Sequence, residues 1–367
     1  MNQLKYQYLG EKVLERMKNI EYDRSFADRY NPEFAGAGRF QWSTGVGLYG
    51  AWKLYEFTGD DRIIDYLCDW FDGHIQKGLP SKNINTMCPF LTLAFLSERT
   101  GRQDYKELCR EWAAWLFHEL PRTEEGGFVH KTGAPNNGQL WMDTLFVSVL
   151  FLAKAGIIFN ETKYIKEAQK QFLIHTKYLT DTSTGLFFHG YTFDEKNNFS
   201  RALWGRGNGW YAISVPELFD IAGNYMEDVA TDFIAESFKT QMKALVTYQD
   251  KDSGMWHTLI DDETSYLEST ATTAFAYGML KGMQLGILSE EYKPIAQNAL
   301  QAIISRTKED GTVADASGGT PIFDTLEEYK QVVKVPIVYE QGMAMMLYSG
   351  WGIAVEKFEN KDKEKTL

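Results

Sequence analysis

Apolar positions recur along most of the chain with helical spacing. Tyr6, Leu9, Val13 and Met17 fall on one helical face, as do Ile63, Ile64, Leu67, Cys68, Trp70 and Phe71. Tyr105, Leu108, Cys109, Trp112, Trp115 and Leu116 form a third such stripe, with charged residues opposite. This 3.6-residue period predicts amphipathic helices with one face in a core. A second kind of segment alternates with them. Residues 44–57, 86–98, 143–155, 209–222, 269–285 and 341–356 are apolar or small almost all round, which predicts helices buried on every side.

A repeat joins the two kinds. A glycine follows the first five all-round apolar segments, at Gly59, Gly101, Gly156, Gly223 and Gly286, spaced 42, 55, 67 and 63 residues apart. Glycine just past a helix end predicts a left-handed cap. Charged openings such as TGDDRIIDY and TGRQDY then start the amphipathic partner. About twelve helices in six pairs follow. Six hairpins with buried and half-exposed members in alternation predict an all-α fold, an (α/α)6 barrel with the buried helices inside. An open superhelix is the alternative, but it leaves apolar flanks uncovered at both ends. No Pro, Gly or Ser tract divides the chain, so residues 1–356 are read as a single domain and 357–367 (KFENKDKEKTL) as a frayed polar tail.

The chemically unusual residues fall just before the buried segments. Between Lys131 and Lys154 the sole formal charge is Asp143, flanked by Leu140, Trp141, Met142, Leu145 and Phe146. An unpaired buried carboxylate is costly, so Asp143 either caps a helix or does chemistry. Trp42 and Asn85 precede the first two buried segments, LWGRGNGW (203–210) the fourth, Glu268 the fifth and Glu340 the sixth. If the inner helices run in one direction, these residues gather at one mouth, where helix N-termini favour an anion. GRGNG lacks the strand and spacing of a nucleotide loop and reads as a tight turn holding Arg206 between Trp204 and Trp210. There Arg206 either pairs with a ligand carboxylate or bonds helix ends. Three of the six histidines, His130, His189 and His257, follow loop glycines beside aromatics and are either structural or cavity-lining.

Composition narrows the classes. The net charge of −12 lacks the basic footprint of a nucleic-acid binder, and the 14% aromatic content suits a large core or a sugar cleft. No apolar run is long enough to cross a membrane, no secretory leader is evident, and Cys68, Cys88 and Cys109 lack metal-like spacing. The expectation is a cytoplasmic protein with reduced thiols, no metal and no cofactor; the oligomeric state stays open.

Taken in order, WMD (141–143), TGLFFH (184–189), WGRGNGW (204–210) and LES (267–269) resemble glycoside hydrolase family 105, the unsaturated rhamnogalacturonyl hydrolases. The resemblance runs from about Trp42 to Tyr348. It implies an (α/α)6 barrel shared with unsaturated glucuronyl hydrolases and action on oligosaccharides ending in an unsaturated uronate. It gives Asp143 the catalytic role and makes His189, Trp204, Arg206 and Trp210 the uronate site, with Lys131 a further candidate. By their place at the mouth, Trp42, Trp141 and Asn85 are also expected to bind substrate, Asn85 through a hydrogen bond to the sugar. Where some members carry a second aspartate, this chain has Asn85, which puts a two-carboxylate mechanism using that position in doubt. Rival expectations are an unsaturated glucuronyl hydrolase acting on another lyase product, an inverting glycosidase pairing Asp143 with Glu268 or another carboxylate, an epimerase using histidines such as His189 and His257, and a non-catalytic sugar-binding protein.

Overall fold

The computed structural model describes residues 3–20, 37–132 and 136–364, with side chains as far as Val355. Six helices form an inner ring: α2 (Trp42–Thr58), α5 (Pro89–Thr100), α7 (Leu150–Ile158), α9 (Gly205–Ala222), α11 (Ser269–Gln284) and α14 (Val338–Glu364). Each packs on the next, and α14 returns to α2 to close the ring. The outer layer is α1 (Gln3–Lys18), α3 (Asp61–Lys77), α6 (Gln103–His118), α8 (Thr162–Leu179), α10 (Asp228–Tyr248) and α12 (Lys293–Arg306). The closed barrel is therefore the one expected from alternating burial, and α1 supplies the outer cover that α14 needs. Two short helices, α4 (Ile84–Met87) and α13 (Leu326–Lys330), lie in loops that lead into the inner helices. The backbone of α14 carries the polar tail in helix as far as Glu364, and residues 365–367 lie outside the described part.

Ring closure depends on small residues. A Cβ on Gly50 would meet Gly342 backbone at 2.2 Å, and one on Gly342 would meet Val46 O at 2.4 Å, so α2 and α14 touch backbone to backbone. GRGNG is not the separate turn that its composition suggests. It forms the first turns of α9, and a Cβ on Gly205 or Gly209 would press on Ala271 or Ala274 of α11 at 2.9 and 2.8 Å. The glycine caps are also only partly as expected. Gly59 and Gly101 are left-handed caps, whereas Gly156 lies inside α7 and Gly223 is right-handed. After α7, Asn160 takes the left-handed position instead, at φ 53°.

Two two-stranded ladders stiffen the mouth: β1 (Gln139–Trp141) with β2 (Gly190–Thr192), and β3 (Trp256–His257) with β4 (Leu267–Glu268). A π-helical turn, Leu145–Val149, joins β1 to α7. Such turns occur often at functional sites, because one widened turn re-aims the side chains beside it.

Candidate active site

The N-terminal ends of the inner helices converge at one mouth. Trp42 of α2 stacks on Tyr339 of α14 at 4.8 Å, Trp210 of α9 meets Trp42 edge-on at 6.1 Å, and Phe146 lies 5.2 Å from Trp210. A cavity of about 1110 Å³ opens there. Trp42, Asn85, Trp141 and Asp143 line it, together with Arg39, Gln41, His74, His130, Thr320, Phe323 and Glu328.

Asp143 reaches the wall through its strand. Trp141 pairs with Gly190 across the β1–β2 ladder, and the Met142 N–H donates to the His189 carbonyl at 3.1 Å. These bonds hold Asp143 and His189 side by side. The Asp143 side chain makes no cap hydrogen bond; the π turn takes only its backbone carbonyl, which accepts from the N–H of Phe146 and of Val147. The carboxylate is 16% exposed, with Oδ2 buried and 3.5 Å from His189 Nε2. At that separation the contact is an ion-pair approach rather than a formed hydrogen bond.

Burial pushes the Asp143 carboxyl up, but His189, His130 and Arg206 outweigh it and hold it below the ordinary carboxylate value. Burial lowers His189 despite the opposing pull of Asp143, and lowers His130 to about 4. These shifts leave both imidazoles neutral at pH 7 and Asp143 ionised. His130 lies flat on Trp141, 4.4 Å apart and 5° from parallel, and Nδ1 contacts Thr144 Oγ1 at 2.9 Å. The stacked pair of His130 and Trp141 lines the cavity together.

Several expected binding residues do other work. Arg206 is 1% exposed and does not reach the cavity. It donates to Ser317 O at 2.8 Å, Gly318 O at 2.9 Å, Thr320 Oγ1 at 3.0 Å and the Ser317 hydroxyl, between the rings of Trp204 and Tyr339. Its fork is occupied by a loop, so direct pairing with a uronate is not what the geometry offers. Trp204 is buried against His189 at 4.1 Å, and Trp210 is buried behind Trp42 and Phe146. Lys131 points to Asn137 Oδ1 at 2.8 Å and does not line the cavity. His189 stands one layer behind Asp143. His257 sits in β3 with Nδ1 on Ser265 O at 2.5 Å, away from the lining.

The alternative carboxylates are also committed elsewhere. Glu268 caps α11, accepting from the N–H of Thr270 at 2.6 Å and of Ala271 at 2.9 Å. Glu340 is fully buried and accepts from Thr273 Oγ1 at 2.8 Å, and burial pushes its carboxyl well up. Glu328 lines the cavity but is tied to the Thr325 N–H and hydroxyl at 3.1 and 2.7 Å. Sequence reasoning missed Gln41, His74, Thr320 and Phe323 as lining residues. Thr320 and Phe323 reach the mouth on the long loop before α14, whereas Gln41 is the N-cap of α2 and His74 lies in the last turn of α3, and no local pattern marks any of the four as cavity-lining.

A recessed carboxylate in a cavity lined by Trp42 and Trp141, at the mouth of an (α/α)6 ring, fits an enzyme of the glycoside hydrolase class. The family model described as Glycosyl Hydrolase Family 88 matches residues 14–351, and the chain belongs to that family. It is 33% identical over 329 residues to the unsaturated rhamnogalacturonyl hydrolase YesR of Bacillus subtilis, covering 88% of this chain and 91% of that protein. A solved structure from Klebsiella pneumoniae subsp. pneumoniae, described as a possible member of the GH105 family, superposes with a TM-score of 0.91 at 37% identity, covering 97% of this chain and 94% of that one. One from Salmonella enterica serovar Paratyphi A, described in the same words, gives 0.92 at 35% identity over 97% and 95% of the two chains. The expected resemblance to family 105 is thereby met. Among the described residues no helix is long and apolar enough to cross a membrane.

Proposed function

We propose that this protein removes a terminal 4,5-unsaturated uronic acid from pectin-derived, rhamnogalacturonan-type oligosaccharides by hydrating the C4=C5 double bond. The observation that carries this reading is the isolation of Asp143. Of the two carboxylates lining the cavity, Glu328 serves its own helix and Asp143 alone is unspent. A conventional glycosidase needs a pair of working carboxylates, whereas hydration of a vinyl ether needs a single group that gives and then takes a proton. The name carried by the Bacillus subtilis relative supports the same substrate class.

Asp143 protonates C4, and the ring oxygen shares the positive charge that develops at C5. Water then adds at C5 and returns a proton to Asp143. The resulting hemiketal opens to a ketone at C5, leaving C1 as a hemiacetal that expels the next sugar as its alcohol. Trp42 and Trp141 supply flat faces for the sugar rings, Asn85 a hydrogen-bonding amide, and Arg39 a positive charge on the wall. The substrate carboxylate brings a second negative charge into a confined site. That raises Asp143 and favours the protonated form that the first step needs. The three cysteines, unpaired among the described residues, suit a reducing compartment such as the cytoplasm.

The test is a panel of lyase-generated unsaturated disaccharides and their saturated counterparts. Loss of enol-ether ultraviolet absorbance together with release of the second sugar is expected from the unsaturated members alone. Turnover of the saturated set with absorbance unchanged in the unsaturated one would overturn the reading.

A further inference from the structure

Behind Asp143, the far side of His189 is hydrogen-bonded to a residue with no obvious reason to be buried. Tyr329 lies on α13 in TLEEYK, where its neighbours Glu327 and Glu328 are exposed, yet it is 1% exposed itself. Its hydroxyl is 2.8 Å from His189 Nδ1. The same oxygen accepts from the Phe323 N–H at 3.3 Å and also interacts with Ser200, so the proton between the phenol and His189 Nδ1 follows the imidazole tautomer. Burial pushes the phenol up, so it stays a proton donor throughout the working range.

We propose that Tyr329 is a positioning residue for the reaction: by donating to His189 Nδ1 it fixes the imidazole as the Nε2–H tautomer and aims that proton at Asp143 Oδ2. This rests on the reading of Asp143 as the acid/base. In the opposite tautomer an Nε2 lone pair would face the carboxylate 3.5 Å away, and Asp143 would lose the one polar hydrogen directed at it. The three-part arrangement has the logic of a catalytic triad, in which a third group sets the tautomer of the second.

The arrangement also joins the wall to the chemistry. Phe323, which supplies the N–H to Tyr329, lines the cavity and packs edge-on against the Tyr329 ring at 5.0 Å. Thr320 lines the same wall, and Arg206 clamps it through Ser317, Gly318 and Thr320. The segment that meets the sugar therefore also orders the proton behind Asp143. Tyr329 itself does not line the cavity, so it acts through His189 and not on the substrate.

The experiment is imidazole 15N NMR of the full chain, with His189 assigned by its absence in His189→Gln, together with steady-state kinetics of Tyr329→Phe. That variant keeps the ring contacts with Phe323, His189 and Trp204. In the wild type, His189 is expected to show a protonated Nε2 and a bare Nδ1; a protonated Nδ1 would overturn the proposal without any variant. In Tyr329→Phe the two nitrogens should move towards a shared proton. The kcat should drop about ten- to a hundredfold with KM little changed, as for loss of a group that orients a functional histidine. An unchanged 15N pattern and unchanged kcat in a folded variant would also overturn it. The NMR needs no substrate, so a failure of the assigned reaction, seen as an active Asp143→Asn, is distinguishable from a failure of the role given to Tyr329.

Discussion

Asp143 and Glu217 both lie on the inner wall of the ring, but the protein treats the two carboxylates in opposite ways. Glu217, deep on α9, is fully buried and accepts hydrogen bonds from the hydroxyls of Tyr49 and Tyr277. Lys53 Nζ stands 3.1 Å from it and also 3.1 Å from Glu56. Burial would raise the Glu217 carboxyl, but Lys53, Lys281 and the two phenols together hold it below the ordinary value. Asp143 has one histidine at 3.5 Å, an Oδ2 without a hydrogen bond among the described residues, and an open cavity beside it. A buried carboxylate with both oxygens engaged by phenols and a cation stabilises the ring and does nothing else. A carboxylate left under-satisfied next to space for a ligand costs stability and is held ready for reaction.

The largest effect on the closed side of the comparison should come from Lys53→Met. Leaving Glu217 buried without its cation should cost about 3–5 kcal/mol, read as a fall in Tm, with activity per folded molecule unchanged at lower temperature. The pH dependence should also invert. In the wild type the depressed Glu217 contributes stability above its unfolded value, near about 4.3, and loses it as pH falls through the lower folded value. In Lys53→Met the buried carboxyl loses its nearest cation and burial raises it, so acidification should narrow the deficit. A variant as stable as the wild type would mean that the inner cluster holds nothing together.

Arg206 sharpens the contrast, because it is a buried cation at the mouth whose two terminal nitrogens donate to carbonyls and hydroxyls of the fold. Arg206→Met should cost about 2 kcal/mol of stability through the carbonyls it leaves unpaired. It should also raise KM more than it lowers kcat, since the Thr320 wall loosens. A variant that bound the uronate normally would contradict the clamp.

The smallest effect lies in the pH profile. Asp143 is held low by its surroundings, and the proposed first step uses its protonated form, so kcat/KM should decline as pH rises from the acidic side. The bound uronate raises Asp143, so the descending limb of kcat should sit at higher pH than that of kcat/KM. The reverse order would mean that substrate stabilises the ionised form.

How far the sequence revealed these two regions depended on distance along the chain. Asp143 stood out as the single charge in an apolar run, and the ring was legible because burial alternates from helix to helix. The same signal was present and unread at Glu217, a carboxylate inside the apolar segment 209–222. The partners of Arg206 lie 111 to 114 residues away, so its local setting between two tryptophans suggested a ligand where the fold supplies a loop. Lys131 was misplaced because its side chain turns to Asn137 instead of the cavity. Tyr329 left no local trace at all. It sits among exposed charges, and only the packing of its loop against His189 gives it a partner 140 residues distant.

The central claim is that the under-satisfied carboxylate at the mouth performs the chemistry alone. Asp143→Asn, assayed on an unsaturated uronyl disaccharide by ultraviolet absorbance with thermal melting as a folding control, tests it most directly. The account predicts a melting temperature equal to or above that of the wild type, and absorbance loss slowed by about a thousandfold or more. Near wild-type rates from a folded Asp143→Asn would contradict it.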